Sequence, residues 1–168
     1  MKNKGLLNKI RESHSKKVLE EEVLIRINKY MIISINEKKY AIHARDVREI
    51  ISGIPLFYIP FTPPYIRGFI NRHGEPYTVL DLTVIFEREK LDSSTFLVLS
   101  REDDQLALLI SEVLEIVKLP ETELHKITST QDGEDYFLGS ISPEEKEEIF
   151  VLNLEQVLTK LEADLGGL

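Results

Sequence analysis

The sequence predicts a mostly β protein, folded as small barrels or a sandwich and finished by a C-terminal helix. Three observations carry this expectation. Short segments rich in β-branched and aromatic residues recur along the middle of the chain, turn-forming stretches separate them, and one amphipathic run lies near the end. Strands this short and closely spaced fit barrels or a sandwich better than an alternating βαβ sheet, so no nucleotide-binding architecture is implied.

From Met1 to about Glu22 the chain is highly charged, and Leu6, Leu7, Ile10, Lys17 and Val18 trace a weak helical stripe. This stretch is expected to be a separate arm, either helical or a flexible tail. Strand patterning then begins at Tyr30–Ile35 and Tyr40–Ile42, joined by the polar Asn36–Lys39 turn. Pro60, Pro63 and Pro64 fix the backbone ahead of Tyr65–Asn71, where Tyr65, Ile66, Phe69 and Ile70 can share a helical face, so a short helix is expected there. Further strands are expected at Tyr77–Leu82, Phe96–Leu99, Leu106–Ile110 and Ile149–Leu154, with Arg101–Gln105 as a charged hairpin tip. Asn153 and Gln156 form a capping pair for a helix on which Leu154, Val157, Leu158, Leu161 and Leu165 follow helical spacing up to Gly166 and Gly167. No internal repeat is evident.

Composition narrows the function. The chain has 168 residues, 42% of them apolar, enough for one sizeable core or two small ones sharing an interface. The absence of cysteine removes disulfide frameworks, thiolate metal sites and thiol nucleophiles, and suits a reducing cytoplasm. No apolar run is long enough to span a membrane and no signal-peptide core is present. A net charge of −8 without a concentrated basic patch disfavours nucleic acid, leaving proteins as the expected partners.

Reactive constellations are missing too. His14, His43, His73 and His125 stand alone, with no HExxH pair or ligand-spaced acids beside them. Neither a GxSxG elbow nor an SxxK motif occurs, and Gly68 and Gly74 do not belong to a phosphate-binding loop. Glu20–Glu22 and the Glu144–Glu148 run lack calcium-loop spacing and read as solvated charge. The expectation is a binding protein without enzymatic activity, cofactor or metal.

The stretch Ile66-Arg67-Gly68-Phe69-Ile70-Asn71-Arg72-His73-Gly74-Glu75-Pro76-Tyr77-Thr78-Val79-Leu80-Asp81-Leu82 resembles the central signature of CheW domains. That signature runs from a basic residue and glycine, through Asn-x-Arg-Gly, to an apolar strand ending in Asp-Leu. Gly68 would permit close approach at a helix, Asn71 and Gly74 would form a turn, and Asp81 would end the strand. Tyr30–Ile50 is similar to the family's opening strands, and Val47-Arg48-Glu49-Ile50 to its Val-x-Glu-Ile helix. Tyr136-Phe137-Leu138-Gly139 and the ending Ile149–Leu158 keep the family's order, so the resemblance covers about Lys29 to Leu161.

This resemblance implies two small five-stranded SH3-like β-barrels with short helices and a C-terminal helix, over residues 29–168, after an arm of residues 1–28. It also implies a stand-alone adaptor, recruited from the cytoplasm to receptor arrays at the membrane. Its partners would be the regulatory domain of a CheA-type histidine kinase and the cytoplasmic tip of a chemoreceptor. Carried over residue by residue, receptor binding falls to Val47, Glu49, Ile50, Ile66, Arg67, Phe69, Ile70, Asn71 and His73; the apolar members of that set are equally compatible with the core. His73 stands where the family usually carries arginine, Ala41 and Ala107 where glycines are frequent, and Ser111 where aspartate is common. Two alternatives follow: a divergent scaffold in another kinase pathway that has lost the receptor contact, and a barrel that binds a small ligand through an imidazole such as His43 or His73.

Overall fold

The computed structural model describes residues 26–102, 104–127 and 136–166, together with Gly5 and Lys9. The apolar stripe expected on the arm, Leu6 to Val18, lies outside the described residues. Within them the fold is mostly β, as expected.

β1 (Ile27–Ile35) and β2 (Lys38–His43) form a hairpin whose two turn residues, Asn36 and Glu37, both have positive φ, the mirror-image turn that matches strand twist. A single 3₁₀ turn, Ala44–Asp46, then carries the chain into a different sheet as β3 (Val47–Ser52), followed by β4 (Leu56–Phe57), β5 (Ile66–Arg72), β6 (Glu75–Leu80) and the short helix α1 (Leu82–Phe86). A second hairpin, β7 (Thr95–Leu99) and β8 (Leu106–Ile110), completes that sheet, in the order β3-β7-β8-β6-β5-β4. The chain then crosses back. β9 (Glu112–Pro120), β10 (His125–Lys126), β11 (Phe137–Ile141) and β12 (Ile149–Leu152) join the first hairpin in the order β10-β11-β12-β2-β1-β9, and α2 (Leu154–Gly166) ends the described chain.

The two six-stranded sheets therefore have the same plan. In each, a hairpin from one half of the chain pairs with four strands from the other half, and each contains one parallel junction: β6 with β8, and β12 with β2. This structural repeat escapes the sequence because it is conserved in backbone demands rather than residue types. Gly68 and Gly139 show one such demand. Both have positive φ beside a register shift, and a Cβ there would sit 2.0 Å from the Phe57 carbonyl oxygen and 2.3 Å from that of His125. Gly68 thus permits close approach of a strand, β4, and not of a helix.

Two expected helices are strands. Tyr65–Asn71 has apolar residues at helical spacing, but Ile66, Gly68 and Ile70 are buried in alternation, the period of β5. The prolines end in a turn, with the Ile66 amide donating to the Pro63 carbonyl at 2.9 Å, instead of opening a helix. Val47–Ile50 likewise lies in β3, which alternates half-buried Val47, Glu49 and Ile51 with exposed Arg48, Ile50 and Ser52.

The main core lies between the sheets and takes Ile33, Ile42, Ile70, Leu80, Leu97 and Leu108 from both; a smaller one, around Tyr30, Ile32, Ile141 and Val151, fills the curl of the first sheet. Each helix reaches from its own sheet to the other. Phe86 of α1 lies 5.8 Å from the Tyr40 ring and 5.2 Å from the Phe137 ring. From α2, the Asp164 carboxylate accepts from the Tyr65 hydroxyl at 2.8 Å, while Leu154, Val157, Leu158 and Leu161 are buried, each stabilising by roughly 2 kcal/mol. Asn153 caps α2 as expected, its side-chain oxygen accepting from the Gln156 amide at 3.4 Å.

Candidate functional site: an exposed strand and hairpin tip

β3 is an edge strand, paired only with β7, and its outer residue Ile50 is 45% exposed. On its inner side Glu49 meets Arg72, the last residue of β5. Arg72 Nη2 donates to Glu49 Oε2 at 2.9 Å, and the Arg72 guanidinium fork forms an ion pair with the Glu49 carboxylate through the Nε and Oε1 contact. β3 and β5 are not neighbours in the sheet, so this fork ties its curled ends together where no backbone ladder closes them. A second arginine runs the other way, with Arg48 Nη1 donating to the Tyr77 hydroxyl at 3.1 Å.

The β5–β6 turn stands beside this clamp. Its two turn residues, His73 and Gly74, both have positive φ, and the Gly74 amide donates to Asn71 Oδ1 at 2.9 Å, the turn expected of Asn71 and Gly74. Asn71 and His73 are exposed. Val47, Glu49, Ile50, Asn71 and His73 are therefore gathered at one end of the second sheet, with Arg72 the organising residue that position-by-position matching overlooked. The signal was in the sequence: the arginine stands one place before the position where the family carries it.

The other expected residues go elsewhere. Ile66 and Ile70 point into the core. Arg67 is a staple: its Nη1 donates to Asp81 Oδ2 at 2.6 Å and to the Leu91 carbonyl at 2.9 Å. The Asp81 carboxylate, 0% exposed, also accepts from the amides of Leu91 (3.0 Å) and Thr83 (3.1 Å) and from the Thr83 hydroxyl (2.5 Å). One buried anion thus ends β6, caps α1 and anchors β5. Phe69 is half-buried and stacks on Phe57 at 5.2 Å, next to Tyr58 and the 96% exposed Phe61, an aromatic loop that the spacing of Phe57, Tyr58 and Phe61 among prolines could have flagged.

A model of the family described as CheW-like domain matches residues 29–162. The chain belongs to the CheW family. Chemotaxis protein CheW of Helicobacter pylori is 26% identical over 149 residues, covering 87% of this chain and 88% of that protein. Its Bacillus subtilis namesake is 24% identical over 136 residues, covering 79% and 87% respectively. The crystal structure of the scaffolding protein TtCheW from Thermoanaerobacter tengcongensis superposes with a TM-score of 0.67 at 23% identity, covering 76% of this chain and 90% of that one, a likeness of fold. Membership in the CheW family places the chain among chemotaxis scaffold and adaptor proteins.

Among the described residues, no three histidine, aspartate or glutamate side chains converge as a cation site. His43 packs against Tyr30 with the rings tilted and their centroids 4.6 Å apart, and burial, helped by Arg45, lowers its pKa. His73, in the β5–β6 turn, and His125, in β10, are exposed and belong to different sheets, while His14 lies outside the described residues. Nor is any described helix long and apolar enough to cross a membrane. Each sheet carries an open groove beside the incoming helix: one of about 480 Å³ in which Tyr40, Phe86, Phe137 and Phe150 are flanked by charged side chains such as Lys39 and Glu148, and a mainly apolar one of about 440 Å³ lined by Phe69, Leu106, Leu161 and Leu165.

Proposed function

We propose that this protein is a non-enzymatic cytoplasmic adaptor that couples a chemoreceptor tip to the regulatory domain of a CheA-type histidine kinase, within arrays at the membrane. The observation that carries this reading is the Glu49–Arg72 clamp. It holds an edge strand and a hairpin tip as one rigid end displaying Ile50, Asn71 and His73, an exposed apolar residue beside exposed polar ones. Val47 and Glu49 support that surface from below, Ile66 and Ile70 form the packed floor, and Arg67 holds the strand in place. The mainly apolar groove that contains Phe69 offers a separate surface suited to the kinase domain.

The divergent-scaffold alternative rests on His73 replacing arginine. It loses force because Arg72 supplies a permanent, forked cation to Glu49 from the adjacent position. Titrating the protein with the kinase regulatory domain, with and without receptor tip, tests the proposal: saturable binding to both supports coupling. Kinase binding alone favours the divergent scaffold, and binding to neither sinks the reading.

A further inference from the structure

β1 and β9 share an outer face left partly bare at the end where the described chain begins. Registered pairs share a face, so Ile27 with Pro120, Lys29 with Lys118, and Met31 with Ile116 lie in one column. Ile27 and Ile116 are each 57% exposed, and Leu114 lies beside them at the register shift. Between the two isoleucines, Lys29 and Lys118 stand directly opposite each other, and neither pairs with a carboxylate among the described residues. Like charges facing across a ladder repel, and here they are set inside apolar surface.

The chain that precedes this face has the opposite pattern. Val18-Leu19 is followed by Glu20-Glu21-Glu22, and then Val23-Leu24-Ile25 leads into Arg26, whose carbonyl is held by the Glu121 amide at 2.8 Å. From Ile27 to Ile116 the face extends about four residues, roughly 13 Å at 3.3 Å per residue. A reversal within Val23–Ile25 would bring the three glutamates level with the lysines, and Val18 and Leu19 level with Ile116. Farther back, residues 1–18 carry six lysine and arginine side chains against Glu12 alone. With −8 overall, the remainder of the chain stands at −13, so long-range attraction also draws the arm inward.

We propose that the arm folds back on this face, Glu20–Glu22 pairing with Lys29 and Lys118 while Val18 and Leu19 cover Ile116 and Leu114. The contact is intramolecular and independent of the coupling function. Because the chain has no cysteine, one nitroxide can be placed by Ser15→Cys in the full-length protein and read through line broadening of backbone amides. The docked arm broadens Leu114, Ile116 and Lys118 severalfold more than positions equally far from Ile27 on other faces. Lys29→Glu with Lys118→Glu removes that excess, and adding Glu20→Lys, Glu21→Lys and Glu22→Lys restores it. Broadening that only decays with distance from Ile27 and ignores both charge reversals overturns the proposal. So does broadening between labelled and unlabelled chains in a mixture, which would make a second copy the occupant.

Discussion

Replacing Arg67 separates a staple from a contact surface. Arg67→Ala leaves the Asp81 carboxylate fully buried with three neutral donors, two amides and a hydroxyl, and removes the guanidinium bonds at 2.6 Å to Asp81 and 2.9 Å to the Leu91 carbonyl. Stripping one partner from a buried ion pair costs ~3–5 kcal/mol. Arg67 keeps 23% of its side-chain exposure, so the lower end, about 3 kcal/mol, applies. For a chain of this size that lowers Tm by roughly 6–12 °C. Thermal and urea unfolding followed by circular dichroism would measure it, and the folded fraction should bind receptor tip with unchanged affinity. Arg67→Lys should recover only part of the loss, because one ammonium cannot reproduce the planar fork. A loss below about 1 kcal/mol together with weakened binding would refute the staple and return Arg67 to the interface.

Four other outcomes are expected. Ile50→Asp should weaken receptor-tip binding by about tenfold or more in a calorimetric titration, while changing stability by less than ~0.5 kcal/mol. Gly68→Ala and Gly139→Ala should each destabilise by ~2 kcal/mol or more, since Cβ would collide with a carbonyl oxygen, and hydrogen exchange should show β4 or β10 released. Burial raises the pKa of Tyr30, Tyr40 and Tyr65. Their contribution to stability is therefore present below the ordinary tyrosine value and lost as pH climbs above it, so ultraviolet titration should show late ionisation that coincides with unfolding. The Tyr65 hydroxyl, and then Lys160, hold Asp164 below the usual carboxylate range. The α2 anchor should thus hold at neutral pH and weaken as pH falls through that range, a dependence that Tyr65→Phe reduces in a melting-temperature series.

Local chemistry was legible where one residue decides the geometry. Asn71 and Gly74 make the turn, Asp81 ends its strand, and Asn153 caps α2, each through a short-range hydrogen bond that the residue type announces. Periodicity misled where two periods overlap: Ile66 and Ile70 are four apart, which suits a helix, and both even-numbered, which suits a strand, and only the approach of β4 at Gly68 decides between them. β9 was missed because an edge strand with a register shift exposes Leu114 and Ile116 and loses alternation. Of the candidate residues, Glu49, Ile50, Asn71 and His73 lie together at one end of the second sheet, whereas Arg72 needed three-dimensional proximity between strands that share no ladder. Ile66 and Ile70 were drawn into the candidate set because an apolar side chain at an interface and one in the core look alike in sequence.

The exchange of hairpins between sheets also has a consequence for how the protein is made. Tyr40 finds its ladder partner in Phe150, so the earliest-synthesised hairpin spends most of translation with β2 lacking its neighbour on that side. Loop closure over such a span is slow, and an unfilled strand edge is a template for foreign strands. A nascent chain stalled before β12 should be a preferred chaperone client. A break in the Glu87–Ser94 connection should leave two pieces that are each insoluble alone yet rebuild the molecule when produced together.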